Sequence, residues 1–492
     1  MAGPAAAQPQ LANGPYGEPT FGSSVTVLVR GPARPAGTVL TAAAALAAAA
    51  AAAVSAYAVG GGSRTVAVLC LAIAAGVLVA VLALTRFAAY ALLMLAVRSC
   101  LDLFKLSGRT AGTGSDGGAT RLLDPATLVG VLFLIAAGLW LAAQARAEGR
   151  LRTSPLGVAL VLVAATGAVS ALGSARPTSS ALEVLRVLTV VAMFLVLEQL
   201  LPRQGMVRRV LLAVYVSLAL ALGYTLLMSL LGAPPAEVKG SFTRISGPFS
   251  QSTTFGRYLM FMVVFGFGIY RYVGRRAKLA LGVLLALSLV FLALTNTRSA
   301  LLGAAIGLLV VAALHRSARL VVALCLAGVA AVAVAPGVAD RFAQLGEARE
   351  VGGGPTGNTL AWRAGYWAEV VTLANRNPVT GIGPNMTQRE TDEAKRPHND
   401  FLRAYVETGV LGLLAYLGMI LLCLHTAALA LRRAPPGTLD RGIAVGFAGC
   451  AVAFVAVSAA SNVISNVVTL WYFVAFAAMA GLVAARRPLE DH

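Results

Sequence analysis

The sequence predicts an all-α polytopic membrane protein, a bundle of about 12–14 transmembrane helices with one large extracytoplasmic loop. Of its 492 residues, 58% are hydrophobic and 12% are charged, which is more apolar surface than a soluble core can bury. Most apolar runs are close to ~20 residues, the length that a helix needs to cross ~30 Å of hydrocarbon. The runs lack the alternating pattern of barrel strands, and helices satisfy their own backbone groups in lipid, so we predict helices.

The net charge of +19 follows from the predicted topology and does not indicate a nucleic-acid partner. Much of the excess lies in short links between apolar runs, which the positive-inside rule places in the cytoplasm. These links contain Arg203, Arg208 and Arg209; Arg271, Arg275, Arg276 and Lys278; Arg316 and Arg319; Arg432 and Arg433; and Arg486 and Arg487. We therefore expect membrane lipid, and no nucleic acid, among the partners.

The cysteines predict neither a disulfide nor a metal site. Their spacing contains no C-x-x-C or other ligand pattern, and all lie inside or at the edges of apolar runs, where a thiol is typical of a small buried hydrophobe. They are Cys70, Cys100, Cys325, Cys423 and Cys450. We expect no metal and no cofactor.

Residues 1–35 are rich in Pro, Gly and Ala and predict a disordered cytoplasmic tail, since they lack the compact apolar core of a signal peptide. Residues 36–335 follow as the N-terminal and central transmembrane helices. Their predicted spans lie near residues 37–58, 66–85, 87–104, 126–145, 155–173, 181–201, 209–232, 254–273, 279–295, 299–314 and 320–335. Arg98 and Asp102 interrupt the third span, either as an interfacial ion pair or as part of an outward-facing polar pocket.

Residues 336–402 form the predicted extracytoplasmic loop, a long polar insert between apolar runs. Residues 403–486 then form the C-terminal transmembrane helices, with spans near residues 403–430, 441–461 and 467–485. The alternation of basic links places both termini in the cytoplasm.

Three outer segments carry polar and charged residues that the positive-inside rule does not explain. An arginine on the outer side runs against the charge bias of a membrane protein and is a candidate for a functional role. The segments are residues 244–254, beginning at Arg244 and followed by Arg257; the turn at residues 296–299, containing Arg298; and the loop, containing Arg363, the breaker-rich residues 377–385, and His398.

These segments carry an ordered series of motifs over about residues 239–424. R-x-x-G-x-F is followed by polar residues and by a T-x-S/T-R-S/G-A-L-L-G turn. The loop then carries R-x-x-x-W, P-x-x-G-x-G and P-H-N-x-x-L-x-x-x-x-E-x-G-x-x-G. In this order and spacing the series resembles the O-antigen ligase and O-antigen polymerase superfamily.

The resemblance implies a membrane glycosyltransferase of the GT-C kind in the bacterial cytoplasmic (inner) membrane. Such enzymes transfer a glycan from an undecaprenyl-diphosphate-linked donor to a hydroxyl of a glycan or lipid-glycan acceptor, on the extracytoplasmic face and without a metal. Carried over by motif, Arg244 and Arg298 would bind the diphosphate and His398 would be the catalytic residue. Whether the acceptor makes the reaction a ligation or a polymerisation stays open.

The chemistry of the residues agrees with these roles. A leaving diphosphate develops negative charge that a divalent cation or fixed guanidinium groups must stabilise. The outer loops contain Asp340, Glu390, Asp392 and Glu393 but no D-x-D pair, which favours arginine, whose planar fork binds phosphate oxygens in pairs. A histidine of ordinary pKa near 6.5 can accept the proton of the acceptor hydroxyl, with inversion in one displacement.

Each residue also has a structural alternative. His398 could be an ordinary loop histidine, and Arg244 and Arg298 could anchor to lipid headgroups. Arg257 and Arg363 either contact substrate or serve as counter-ions for Glu407, Glu369 or the loop acids. Asn399, a further candidate for substrate contact, or Asp400 could cap the next helix. Trp362, Tyr366 and Trp367 predict an aromatic face that packs the loop against the membrane, or else a platform for stacking sugars.

Two other functions remain open at this point. A transporter or flippase for lipid-linked oligosaccharide would need ionisable or discontinuous elements near the membrane midplane and often shows repeated halves, and the spans show few such charges and no repeat. The peptidoglycan polymerases of similar architecture, the SEDS-like glycosyltransferases, use an outer acidic residue where this chain offers a histidine.

Overall fold

The structure, a computed structural model, describes residues 76–104, 125–239, 242–318, 360–391 and 395–486. The chain forms two compact units, Met1–Val81 and Leu82–His492. Residues 76–81 are the described part of the first unit, and the contacts below belong to the second. The predicted tail at residues 1–35 and the predicted spans at 37–58 and 320–335 lie outside the described residues.

The regular secondary structure of the described part of the chain is helical apart from one short antiparallel hairpin. Its strands are β1 (Ala236–Lys239) and β2 (Phe242–Ile245). Its helices are α1 (Gly76–Thr85), α2 (Phe87–Val97), α3 (Pro125–Glu148), α4 (Pro155–Leu172), α5 (Pro177–Leu200), α6 (Met206–Leu230), α7 (Ser252–Ile269), α8 (Arg275–Leu294), α9 (Arg298–Leu314), α10 (Leu360–Ala374), α11 (Thr387–Glu390), α12 (Asp400–Arg433), α13 (Leu439–Ala460) and α14 (Val467–Ala485).

Nine of the described helices, α3 to α8 and α12 to α14, are long and apolar enough to cross a membrane. The protein is therefore a multi-pass, all-α membrane protein, as predicted. The helix bounds follow the predicted spans closely because span length is a direct consequence of membrane thickness. Polar residues fix several starts: Ser154 caps α4 by accepting from the amide of Gly157 at 3.1 Å, and Pro155 needs no amide partner at that position.

The third predicted span, at residues 87–104, is wrong in length. Helix α2 ends at Val97 after 11 residues, too few to cross a membrane. A turn and a short 3₁₀ segment, Leu101–Phe104, follow it. The chain turns because Ser99 binds into a buried hydroxyl network: Ser217 Oγ donates to Ser99 Oγ at 2.7 Å, and Ser217 Oγ also lies 2.6 Å from the Tyr472 hydroxyl.

Helix α9 packs closely against α7 and α13. A Cβ at Gly303 would lie 2.4 Å from Met260 Sδ, and one at Gly307 would lie 2.8 Å from Val264 Cγ2. The space at both positions is too small for a side chain, so the backbones approach closely. The G-x-x-x-G spacing of these two glycines thus serves helix packing.

The described part of the loop has a hydrophobic core of its own, formed by α10, the segment before α11 and the first turns of α12. Its buried members are Tyr366, Val370, Leu373, Ala374, Ile382, Met386 and Val406. Trp367 Nε1 donates to the carbonyl of Pro397 at 2.6 Å, and the Tyr366 hydroxyl donates to the carbonyl of Lys395. The prediction that these aromatics pack the loop against the membrane is therefore wrong for Tyr366, which is buried inside the loop. The side chain of Trp362 lies outside the described part.

Candidate functional site

The connection between α13 and α14, residues 461–466, lies at the centre of the candidate site; we call it the α13–α14 linker. Arg257, near the start of α7, is buried and donates through Nη1 to the carbonyl of Asn462 at 2.9 Å and through Nη2 to Ser461 Oγ. Ser299, the second residue of α9, donates to the same Ser461 hydroxyl at 3.5 Å. Two of the predicted outer segments therefore meet at the first half of this linker.

The loop reaches the same linker through Asp400 and Arg363. Asp400 is fully buried, and its Oδ2 accepts from the amides of Val463 and Ile464 at 2.8 and 3.2 Å. Arg363 Nη1 donates to the carbonyl of Ala460, the last residue of α13, at 3.2 Å. Burial lowers the pKa of the Arg363 guanidinium. All three predicted outer segments thus contact one end of the α13–α14 connection.

Arg244 holds the turn that precedes Arg298. Its side chain is buried; Nε donates to the carbonyl of Thr295 at 3.0 Å and Nη2 donates to Thr297 Oγ1 at 2.9 Å. Glu237, its partner across the β-hairpin, lies 4.0 Å from Nη1. Arg298 is partly buried at the first position of α9. Arg244 thus binds the turn that leads directly into Arg298. Binding of a diphosphate by these two arginines stays a prediction.

His398 lies in the loop directly before α12 and is partly buried, with a left-handed backbone (φ 54°). Its neighbours are fixed on both sides. The carbonyl of Pro397 accepts from Trp367, and Asn399 Oδ1 accepts from the amides of Phe401 and Leu402 at 2.9 and 3.1 Å. A non-glycine residue at positive φ costs of order 1 kcal/mol and is found often at functional sites.

Asn399 is the N-cap of α12, which confirms one of its two predicted readings. Asp400, the other candidate cap, instead binds the linker as described above. The side-chain oxygen of Asn399 is used by two backbone amides, so any contact of Asn399 with substrate remains a prediction.

The loop and α12 are joined through backbone pairing at a kink. Helix α12 is interrupted at Gly409, whose φ of 68° and ψ of −169° are not helical. The break releases amides and carbonyls that pair with the P-x-x-G-x-G stretch, residues 378–383. The hydrogen bonds are Ile382 N to Val406 O at 3.0 Å, Gly383 N to Glu407 O at 3.1 Å, Val410 N to Pro378 O at 2.8 Å and Leu411 N to Val379 O at 3.5 Å. The two glycine motifs therefore form one structural element.

Only glycine fits this pairing. A Cβ at Gly409 would lie 2.1 Å from the carbonyl oxygen of Val379, and one at Gly381 would lie 2.4 Å from the carbonyl carbon of Glu407. Both glycines also have positive φ, a conformation in which an L side chain is strained. The G-x-G and E-x-G spacings thus reflect close backbone approach.

A buried ion network anchors this element to α5. Arg403 Nε donates to Glu407 Oε2 at 2.9 Å, and Arg403 Nη2 lies 3.4 Å from Glu183 Oε1. Thr387 Oγ1 donates to the other oxygen of Glu407 at 3.0 Å. Arg257 and Arg363 were predicted as possible counter-ions of Glu407, but the structure places Arg403 there. The R-x-x-x-E spacing, one helical turn, was the signal that could have identified it.

Arg98 and Asp102 form an ion pair and also line a cavity, while their position relative to the membrane surface stays a prediction. Their side chains form an ion pair of 3.6 Å between Nη1 and Oδ1, and both line a cavity of about 270 Å³ beside the α13–α14 linker. Arg396, two residues before His398, lines the same cavity. Burial lowers the pKa of its guanidinium, and nearby Arg403 lowers it further, while Glu183 and Glu407 oppose the shift.

Among the residues that the structure describes, no three His, Cys, Asp or Glu side chains are grouped closely enough to hold a metal ion. The described cysteines Cys100, Cys423 and Cys450 are free thiols, and the last two are buried.

Comparison with known proteins agrees with the motif series. The family model described as O-Antigen ligase matches residues 281–417, from α8 through the loop to the first half of α12. This region contains Arg298, Arg363 and His398, whereas Arg244 and Arg257 precede it. A search of the curated proteins gave no match. Residues 281–417 thus match the O-antigen ligase family, within a multi-pass membrane protein.

Proposed function

We propose that the protein is a glycosyltransferase that moves a glycan from an undecaprenyl-diphosphate-linked donor to an acceptor hydroxyl on the extracytoplasmic face of the bacterial cytoplasmic membrane. The O-antigen ligase domain supports enzyme activity in glycan ligation. The observation that carries the proposal is the α13–α14 linker, on which Arg257, Ser299 and Asp400 converge from three outer segments. Through their sequence neighbours, these contacts bring Arg298 and His398 to the same end of the bundle.

The orientation of the site supports the extracytoplasmic assignment. Helix α7 carries Arg257 near its first turn and is followed at its other end by Arg271, Arg275 and Arg276. Helix α9 likewise begins at Arg298 and is followed at its other end by Arg316. Because basic links favour the cytoplasm, the opposite ends of these helices are assigned to the outside.

In the proposed reaction, the acceptor oxygen attacks the anomeric carbon while the bond from that carbon to the diphosphate oxygen breaks. The diphosphate leaves with the bonding electron pair, and the configuration at the anomeric carbon is inverted. His398 accepts the hydroxyl proton, and Arg298 stabilises the charge that develops on the leaving phosphates without a metal ion. Arg244 adds positive charge while its hydrogen bonds hold the turn at residues 295–297.

The test is transfer of a labelled glycan by the full chain in membranes supplied with an undecaprenyl-diphosphate-linked donor. His398→Ala is expected to lower the rate by roughly 10²–10⁴-fold, the usual contribution of a general base. His425→Ala, at an exposed position within α12, is the matched control and should transfer at the wild-type rate.

Unchanged transfer by His398→Ala would remove this histidine from the mechanism. Movement of the labelled lipid across vesicles by the wild type, with no joining of sugars, would instead assign the protein to lipid transport.

A further inference from the structure

Charged side chains from two other helices hold the α13–α14 linker at each of its first five positions. Every one of these side chains is buried, and a buried charge is stabilised only where fixed polar partners surround it. The contacts are those of Arg257 with Ser461 and Asn462, of Asp400 with Val463 and Ile464, and of Arg403 with Ser465. The linker is therefore fixed between α7 and α12 along most of its length.

Asp400 makes its contacts with the linker although it stands at the start of a helix. A carboxylate at a helix start usually stabilises that helix, as a cap or through the macrodipole. The cap of α12 is already Asn399. The Asp400 side chain is fully buried, and its Oδ2 accepts from the amides of Val463 and Ile464, 63 and 64 positions away. Its role therefore lies in the attachment of α12 to the linker.

His398, two residues before Asp400, has a backbone conformation that its surroundings must maintain. Its φ of 54° lies in the left-handed region, which is strained for a residue with a side chain. On the amino side, Trp367 Nε1 donates to the carbonyl of Pro397 at 2.6 Å. On the carboxyl side, Asp400 attaches the chain to the linker, in a different part of the sequence. The two attachments fix the chain on both sides of the histidine.

The same linker contacts the segment that contains Arg298. Ser299 follows Arg298 in α9 and donates to Ser461 Oγ at 3.5 Å. Asp400 binds the linker two residues further along, at Val463. The arginine of one outer segment and the histidine of another are thus attached, through adjoining residues, to the same short stretch of backbone. Their relative position depends on that stretch.

We propose that Asp400 is a positioning residue for glycan transfer, which holds His398 in place relative to Arg298 through the α13–α14 linker. Asp400 neither contacts the substrate nor transfers a proton in this proposal. The proposal rests on the proposed function, in which His398 is the base. Because a displaced base leaves donor binding intact but slows proton transfer, loss of Asp400 should lower kcat and leave KM for the donor unchanged.

The experiment measures kcat and the donor KM for transfer of a labelled glycan from an undecaprenyl-diphosphate-linked donor by the full chain in membranes, normalised to the amount of protein. Asp400→Ala is expected to lower kcat by about 10²-fold, the usual effect of displacing a catalytic group by about 1 Å. The donor KM should stay within about twofold of the wild type.

Asp440→Ala is the matched control. Asp440 also lies in the first turn of a spanning helix, α13, but at the opposite end from the linker, where it pairs with Arg486. Its loss should leave kcat unchanged.

Two conservative variants separate position from charge. Asp400→Asn keeps an oxygen at the same reach for the two amides and loses the charge. Asp400→Glu keeps the charge and extends the side chain by one methylene group. A positioning role predicts a higher kcat in Asp400→Asn, within about tenfold of the wild type, than in Asp400→Glu. The reverse order would overturn the proposal, and this comparison does not require Asp400→Ala to fold.

The position of His398 is also measured without activity, by its reaction with diethyl pyrocarbonate in protein without donor, followed by mass spectrometry. Loss of the linker contact in Asp400→Ala should raise the rate of modification of His398 by about tenfold, the equivalent of one charge-assisted hydrogen bond. His315, also partly buried but at the other end of α9, is the internal reference and should react at the wild-type rate.

Lower kcat at constant donor KM, together with faster modification of His398, would support the proposal. Wild-type kcat in Asp400→Ala, with His398→Ala inactive, would overturn it and leave the proposed function in place. Wild-type kcat in His398→Ala would instead overturn the function on which the proposal rests. Lower kcat in Asp400→Ala with a raised donor KM, a lower Tm and wild-type modification of His398 would assign Asp400 to general stability, and the proposal would again fail.

Discussion

Arg403 donates through Nε to Glu407 Oε2 at 2.9 Å, one turn apart on α12, and both side chains are buried. The same guanidinium lies 3.4 Å from Glu183 on α5. One arginine therefore compensates two buried carboxylates that come from helices far apart in the chain.

We predict that Arg403→Met destabilises the protein by about 3–5 kcal/mol, because it removes the buried cation that Glu407 and Glu183 share. The free energy of unfolding in detergent measures the effect. Arg186→Met is the control: Arg186 also pairs with Glu183 but is 45% exposed, so its loss should cost less than about 1 kcal/mol. Equal losses in the two variants would contradict the role given to Arg403.

We predict that Gly409→Ala disrupts the pairing between the loop and α12. Its Cβ would lie 2.1 Å from the carbonyl oxygen of Val379, so the backbone must move. The measurement is proteolysis of the loop together with thermal unfolding. Gly418→Ala, on the same helix with open space around the added methyl group, should be neutral or stabilising by up to about 1 kcal/mol. A Gly409→Ala protein as resistant to protease as the wild type would refute the prediction.

Asn399 can be tested for capping and substrate contact separately. Asn399→Ala should destabilise the protein by about 1 kcal/mol through loss of the cap, whereas Asn399→Asp keeps a capping oxygen and should retain stability. Glycan transfer is then measured for Asn399→Asp at saturating and limiting donor. Wild-type kinetics in this variant would show that Asn399 acts through the helix start, and a raised KM for the anionic donor would indicate contact with it.

Arg244 and Arg298 should respond differently to loss of charge. Arg244→Gln removes two buried hydrogen bonds to the turn at residues 295–297 and should lower stability by about 1.5–3 kcal/mol as well as transfer. Arg298→Gln, at a partly buried helix start, should lower transfer with a smaller loss of stability. Thermal unfolding and donor kinetics measured on the same preparations distinguish the two. A larger loss of stability in Arg298→Gln would reverse the assignment.

We predict that His315, at the other end of α9, makes the stability of the protein depend on pH. Burial lowers its pKa, and the nearby Arg271 lowers it further. The unfolded chain, with an ordinary histidine pKa near 6.5, therefore binds more protons than the folded protein just below that pH. Stability should fall as the pH is lowered through about 6.5, and His315→Gln should show a shallower decline in Tm between pH 7 and 5. Identical slopes would exclude His315 as a source of acid sensitivity.

The spans and the cap of α12 were predictable because their causes are local. Membrane thickness fixes the length of an apolar run, and Asn399 binds amides only two and three residues ahead. The α13–α14 linker was missed because its importance comes from contacts with distant residues. Asp400 and Val463, for example, are 63 positions apart, and neither has a surrounding pattern that predicts the other.

The two clearest errors have the same origin. The third span is short because Ser99 meets Ser217, 118 positions away, and hydropathy does not detect such a pair. Tyr366 was predicted to face the membrane because its spacing from the neighbouring tryptophans is typical of an interfacial aromatic face. In the structure its hydroxyl is buried inside the loop, where it donates to the carbonyl of Lys395 and lies 3.0 Å from the hydroxyl of Thr391. Tertiary partners decided both cases.

The break in α12 at Gly409 has a consequence for engineering. Backbone hydrogen bonds join residues 378–383 to residues 406–411. The carboxyl-terminal part of the loop and the start of α12 should therefore be exchanged together in a chimera. A chimera that swaps only the loop, with its junction at the start of α12, would pair residues 378–383 of one protein with residues 406–411 of another across all four bonds. Grafting the loop of a relative therefore requires the junction to lie beyond residue 411, in the uninterrupted part of the helix.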